Sequence, residues 1–186
     1  YGIDELPQVL NPACGFIQNC NSDPFLTSAD GNPDRGDFPG PMVGRDARNW
    51  RVRMSHAILG REEPFDFDGL SAAAFDTYVY AADDYVPRLE RAWAAMLESG
   101  PDRAEALREP VEAMAAWDRR ASVGSVETTV FMLWYETILP AVWSGSLTDE
   151  QCTDTLEKII AALERSFGRW DVAWGEVNRH QRPGPD

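Results

Sequence analysis

The sequence predicts a mainly helical protein: a helical bundle over residues 47–186, preceded by a short strand-and-loop arm over residues 1–46. Three observations carry that expectation. Residues 1–46 hold 6 of the 13 prolines and 6 of the 14 glycines, so the arm cannot be regular for long. From residue 47 onward at least five segments repeat their apolar positions every 3.6 residues. One of them, Val126 to Trp143, is apolar almost all round, the pattern of a helix buried at the centre of a bundle.

Within the arm the one plausible strand is Gly15–Cys20. Strand side chains alternate, so Ile17, Asn19 and Asn21 share one face while Phe16, Gln18 and Cys20 share the other. An amide placed beside an isoleucine needs a partner, which can be backbone in a turn or a ligand; the local pattern leaves both open. Trp50, Met54, Ala57 and Ile58 then mark the first helix, and Phe75, Tyr78, Val79, Ala82 and Val86 fit the stripe of a second. Pro87 suits the first turn of a third helix that turns Leu89, Trp93, Met96 and Leu97 inward and stops at Ser99-Gly100-Pro101. A fourth, from about Asp102, aligns Leu107, Val111 and Met114, and Pro110 should kink or divide it. The apolar helix follows, its last turn distorted by Pro140. Thr148 with Gln151 forms a capping box for a final helix carrying Leu156, Ile159, Ile160, Leu163 and Phe167, closed by Gly168. Trp170 and Trp174, four apart, are placed to pin the polar tail onto the bundle.

Charge narrows the function. With 31 acidic against 17 basic side chains the chain carries a net charge of −14, which repels nucleic-acid phosphates and anionic lipid alike. The 186 residues contain neither 18 consecutive apolar residues nor a basic start followed by an apolar h-region. The opening at Tyr1, without methionine and on a loop-like segment, suggests a piece of a longer protein. Cys14, Cys20 and Cys152 match no metal-binding spacing; they read as small buried hydrophobes, with a Cys14–Cys20 bridge as the alternative in an oxidising compartment.

Candidate chemistry is sparse. Asp30, Asn32 and Asp34 alternate as at the start of an EF-hand loop, but Arg35 stands where the turn needs glycine and Pro41 where the bidentate glutamate belongs, so a solvated turn is the reading. Arg35-Gly36-Asp37 matches an adhesion tripeptide that short sequences produce by chance. His56 and His180 are too few for a metal centre or a triad. No GxSxG setting and no glycine-rich phosphate loop occurs, and no catalytic constellation is complete.

Four stretches in order, LPQVLNPACGFIQNCNSDPF at 6–25, RNWRV at 48–52, AAWDRRASVGS at 115–125 and WGEVNRHQR at 174–182, resemble the penicillin amidase family of N-terminal nucleophile hydrolases, nearest in flavour to acyl-homoserine lactone and aculeacin acylases. The first stretch is the most specific. The resemblance implies that the arm belongs to an αββα core and that the chain is an internal portion of the large chain of a self-cleaving, periplasmic or secreted acylase. It implies a linear N-acyl amide as substrate and the remaining segments of the same acylase as partners, with no nucleic acid and no membrane. The nucleophile would be an amino-terminal serine lying outside these residues, so the chain alone would be inactive. The second asparagine of the Asn-x-Asn pair, Asn21, would donate to the oxyanion, with Asn19 securing the turn. Arg48 would support Asn21, and Arg51 is the alternative register. No cofactor is required by this chemistry; a structural calcium occurs in some members, and its ligands are not assigned in this sequence. The rival is a noncatalytic helical module for protein interaction.

Overall fold

A computed structural model describes residues 1–42 and 49–179. Its contacts divide the chain into two compact units, Tyr1–Asp76 and Thr77–Asp186. Among the described residues there are eight α-helices and no strand. The mainly helical class is as predicted.

In the first unit, residues 1–42 are irregular apart from short 3₁₀ turns at Ile3–Glu5, Pro24–Leu26 and Arg35–Asp37. The strand expected over Gly15–Cys20 does not form, because no neighbouring segment supplies a ladder: Gln18 makes one backbone bond, its N–H to the Thr27 carbonyl at 2.8 Å. The alternation survives nonetheless. Ile17, Asn19 and Asn21 are exposed, whereas Phe16 and Cys20 are half-buried and Gln18 is buried. Two helices follow, α1 (Trp50–Leu59) and α2 (Phe67–Ala74). Met54 and Ile58 of α1 line a shallow apolar groove of about 240 Å³ with Leu70, Ala73 and Ala74 of α2. Val52 is the one α1 side chain that is fully buried, so polar contacts carry much of its docking.

The second unit contains α3 (Ala81–Ser99), α4 (Pro101–Ala106), α5 (Arg108–Ala116), α6 (Val126–Ser144), α7 (Asp149–Phe167) and the short α8 (Trp174–Val177). The helix expected through Phe75–Val86 is corrected. Residues 75–80 leave the helix, and Thr77 and Val79 pair with the segment around Arg120: the Val79 N–H donates to the Arg119 carbonyl at 2.8 Å and the Ala121 N–H to the Thr77 carbonyl at 3.0 Å. A tertiary pairing outcompetes the local 3.6 period there, and Phe75 is left exposed. Pro87 accordingly sits inside α3 rather than in its first turn. Pro110 acts as expected at a distance of one turn. Its ring is incompatible with a helical carbonyl four residues earlier, and α4 ends at that residue, Ala106, leaving Pro110 in the first turn of α5 where no donor is missed.

The core is centred on α6, where Phe131 and Trp134 are wholly buried and Ile138 nearly so. The Phe131 ring stacks on Tyr135 at 5.4 Å and meets Trp117 at 5.6 Å. The Trp134 indole N–H donates to the Cys152 carbonyl on α7 at 2.9 Å, so the largest core side chain buries no unsatisfied donor. Burial fades toward the C-terminal end, and Trp143 is exposed. The capping box of α7 is in place: the Thr148 Oγ accepts the Gln151 N–H at 3.2 Å and the Gln151 side chain accepts the Thr148 N–H at 2.8 Å. Thr148→Ala should therefore lower stability by about 1 kcal/mol in urea denaturation, and Thr148→Ser should restore most of it.

The tail is held by more than its two tryptophans. Val172 is its fully buried side chain, while Trp170 and Trp174 stay half-exposed. Backbone bonds from Trp174 N–H to the Ser125 carbonyl, 2.9 Å, and from Gly175 N–H to the Val123 carbonyl, 2.8 Å, hold α8 at the start of α6. A Cβ on Gly175 would lie 2.9 Å from that Val123 oxygen, so glycine is needed for the approach. His180 lies outside the described residues. No helix among the described residues is long and apolar enough to cross a membrane.

Candidate functional site

The region of interest is built where the loop 16–27 meets α1, within the first unit. Asn21 has φ of +57°, a left-handed conformation that asparagine tolerates better than other residues with a side chain. The turn is closed by Asn19, whose Oδ1 accepts the Asn21 N–H at 2.9 Å, a side-chain mimic of a backbone turn. Arg51, in the first turn of α1, donates from Nη2 to the Asn21 Oδ1 at 3.1 Å. The carbonyl half of the amide is thereby engaged. Asn21 is exposed, and its Nδ2, which carries two N–H donors, makes no hydrogen bond among the described residues.

Arg48 lies outside the described residues; Arg51, the alternative register, is the arginine seen on Asn21. Asn49, between them, has a part that sequence reasoning missed. It caps α1, its Oδ1 accepting the Val52 N–H at 3.1 Å, and its Nδ2 donates to the Cys20 carbonyl at 2.9 Å. An asparagine just before the first apolar residue of a helical repeat is a recognisable N-cap. That clue reveals the acceptor role but gives no hint of the donation to a loop 29 residues away.

Further along α1 the same loop is gripped twice more. The Ser55 hydroxyl pairs with the Cys20 thiol at 3.2 Å, and His56 Nε2 lies 3.1 Å from the Leu26 carbonyl with its ring edge-on to Phe16 at 5.7 Å. Within the loop Gln18, buried, donates from Nε2 to the Leu26 carbonyl at 2.6 Å. The helix face formed by residues 49, 52, 55 and 56 is thus a template against which the loop is shaped.

The cysteines are free thiols, so no Cys14–Cys20 bridge is present. Cys14 pairs instead with the Ser28 hydroxyl at 2.9 Å. Burial pushes its thiol up, but hydrogen bonding with Ser28 and with the backbone of Phe16, Ala29 and Asp30 outweighs that and leaves it below the ordinary value.

The EF-hand-like residues are spent on local structure. Asp30 accepts the Cys14 N–H at 3.2 Å, Asn32 exchanges two bonds with the Ser28 backbone, and Asp34 caps the Arg35–Asp37 turn. Arg35 of the Arg-Gly-Asp triplet ion-pairs with the buried Asp23 and lies over the Phe25 ring at 5.0 Å. Among the described residues no group of three or more His, Cys, Asp or Glu side chains is placed to hold a metal ion.

What the loop can do chemically is present a fixed, neutral hydrogen-bond donor. The Arg51 guanidinium, held on the amide oxygen, draws electron density toward that oxygen and makes the N–H groups better donors. A donor so prepared suits an oxygen on which negative charge develops. A protein-family model described as penicillin amidase matches residues 1–185.

Proposed function

The chain belongs to the penicillin amidase family, matched over residues 1–185, and from that premise we propose that it forms part of an acylase hydrolysing a linear N-acyl amide such as a penicillin or an acyl-homoserine lactone. Asn21 is its oxyanion donor. The observation that carries the reading is the Arg51–Asn21 pair: the acceptor end of the amide is occupied by protein, and the donor end makes no hydrogen bond among the described residues.

The chemistry follows from those polarities. An amino-terminal serine, supplied by a segment outside these 186 residues, attacks the scissile carbonyl as its hydroxyl proton passes to its own α-amino group. The C–O π pair moves onto oxygen, and an Asn21 N–H meets the resulting oxyanion. Collapse breaks the C–N bond as the leaving nitrogen takes that proton from the α-amino group, and an acyl-enzyme remains; water attacks it through a second oxyanion, its proton passing to the α-amino group and on to the serine oxygen as the acid departs. The Asn21 amide is oriented before either oxyanion forms, so no reorganisation is required as charge develops. No step of this reading calls on a metal. Periplasmic or secreted residence and assembly with the other segments of the same acylase belong to this reading.

Two preparations test it: the complete protein after self-cleavage, and this chain alone, both assayed with penicillin G and a long-chain acyl-homoserine lactone. The complete protein is expected to release acid and amine from at least one of them. The chain alone should release none, because a donor without an attacking group has no covalent step to stabilise. Acid release proportional to the isolated chain would refute the division of labour. Loss of all amide hydrolysis in the correctly cleaved complete protein would leave the noncatalytic interaction module as the better account.

A further inference from the structure

We propose that Asn49 is a positioning residue for the oxyanion donor, acting through the peptide that precedes it; this rests on the reading of Asn21 as that donor. The Cys20–Asn21 peptide unit is held at both of its polar atoms. Its carbonyl accepts from Asn49 Nδ2 at 2.9 Å and its N–H donates to Asn19 Oδ1 at 2.9 Å. With both polar atoms of the peptide held, its plane is fixed against the chain that follows, and the angle between them about the Asn21 N–Cα bond is φ. It stands at +57°, against the intrinsic preference of an L-residue for negative φ.

The competing tendencies are of similar size. A left-handed residue is disfavoured by an amount comparable to the net worth of one intramolecular hydrogen bond. Removing the Asn49 bond therefore lets the peptide plane turn over and carries the Asn21 side chain away from its place, even though Arg51 still attracts the amide oxygen. Displacement of a catalytic group by about 1 Å can cost on the order of 10²-fold in rate.

Asn49 reaches the loop because its other atoms are already committed. Its Oδ1 is fixed on the Val52 N–H at 3.1 Å as the cap of α1, and the amide plane then projects Nδ2 to Cys20. Arg51, two residues on, takes the Asn21 side chain. The opening turn of α1 thus sets both the backbone and the side chain of residue 21. Cap and clamp are separable by chemistry: serine caps a helix about as well as asparagine but lacks the length and the second polar atom to clamp Cys20.

The experiment uses the complete, self-cleaved acylase with whichever of penicillin G and a long-chain acyl-homoserine lactone it hydrolyses, turnover being normalised to cleaved enzyme. Asn49→Ser is expected to lower kcat about tenfold, with KM within about twofold and the melting midpoint nearly unchanged, because the cap is kept. Added to Asn21→Ala, the serine substitution should cause no further loss, since there is no donor left to misplace. A wild-type kcat for Asn49→Ser beside a slow Asn21→Ala enzyme overturns the role of Asn49 and leaves Asn21 as donor. Full additivity of the two losses also overturns it, because Asn49 would then act elsewhere. A wild-type kcat for Asn21→Ala removes the donor reading and this inference together.

Discussion

Asn21→Ala in the complete acylase is expected to lower kcat by about 10² to 10³, with a much smaller change in KM. The asymmetry follows from when the contact strengthens. In the proposed role, a neutral carbonyl accepts weakly from the Asn21 amide, whereas the tetrahedral oxyanion carries nearly a full charge, so the donor is worth more in the transition state than in the bound substrate. Self-cleavage passes through a similar charged intermediate, and turnover must be referred to cleaved enzyme on a gel. Asn19→Ala provides the contrast. Asn19 is exposed and its Oδ1 holds the N–H end of the same peptide that Asn49 clamps, so its loss should cost about 0.5–1.5 kcal/mol of local stability and lower kcat by no more than about tenfold, well short of losing the donor itself. If cleaved Asn21→Ala enzyme kept its kcat while Asn19→Ala lost it, the donor would be Asn19. If neither mattered, the family chemistry would not transfer to this loop.

The second large effect is structural. Trp134→Ala should destabilise the unit Thr77–Asp186 by about 3–5 kcal/mol, read from the shift of its urea midpoint, as aromatic truncations in sealed cores do. Trp134 is wholly buried, packs 6.0 Å from Phe131, and donates to the Cys152 carbonyl. Trp134→Phe retains much of the packing while deleting the indole donor, and should recover most of the loss. A cost below about 1 kcal/mol for the alanine variant would mean that α6 is not the centre of the core.

Which parts of this architecture can be read from the chain alone depends on where the deciding interaction lies. α6 and α7 are long, strongly patterned and capped by Ser125 and by the Thr148–Gln151 box, so the information for each sits inside its own segment. The passage from α2 to α3 is different. Phe75, Tyr78, Val79, Ala82 and Val86 keep a helical spacing, yet the backbone at 77–79 is claimed by residues 119–121, some forty positions downstream. No local pattern can announce that competitor. In the loop, the exposure of Ile17, Asn19 and Asn21 against Gln18 followed from simple alternation, although the missing ladder did not. Asn21 drew notice as an amide in need of a partner. Asn49 did not, because an N-cap is a sufficient explanation of an asparagine until the loop is seen lying against it.

The left-handed backbone at residue 21 bears on which amino acids evolution could put there. A positive φ favours glycine, asparagine and aspartate. Pairing with the Arg51 guanidinium demands a short side chain ending in an acceptor, and glycine has none. Aspartate meets both conditions, and its carboxylate would satisfy Arg51 even better, but it cannot donate to an oxyanion and would repel one. Backbone, neighbour and chemistry each permit a different short list, and asparagine is the residue common to all three. On the proposed role of Asn21, the single change to aspartate is therefore expected to abolish turnover while leaving the melting midpoint nearly unchanged.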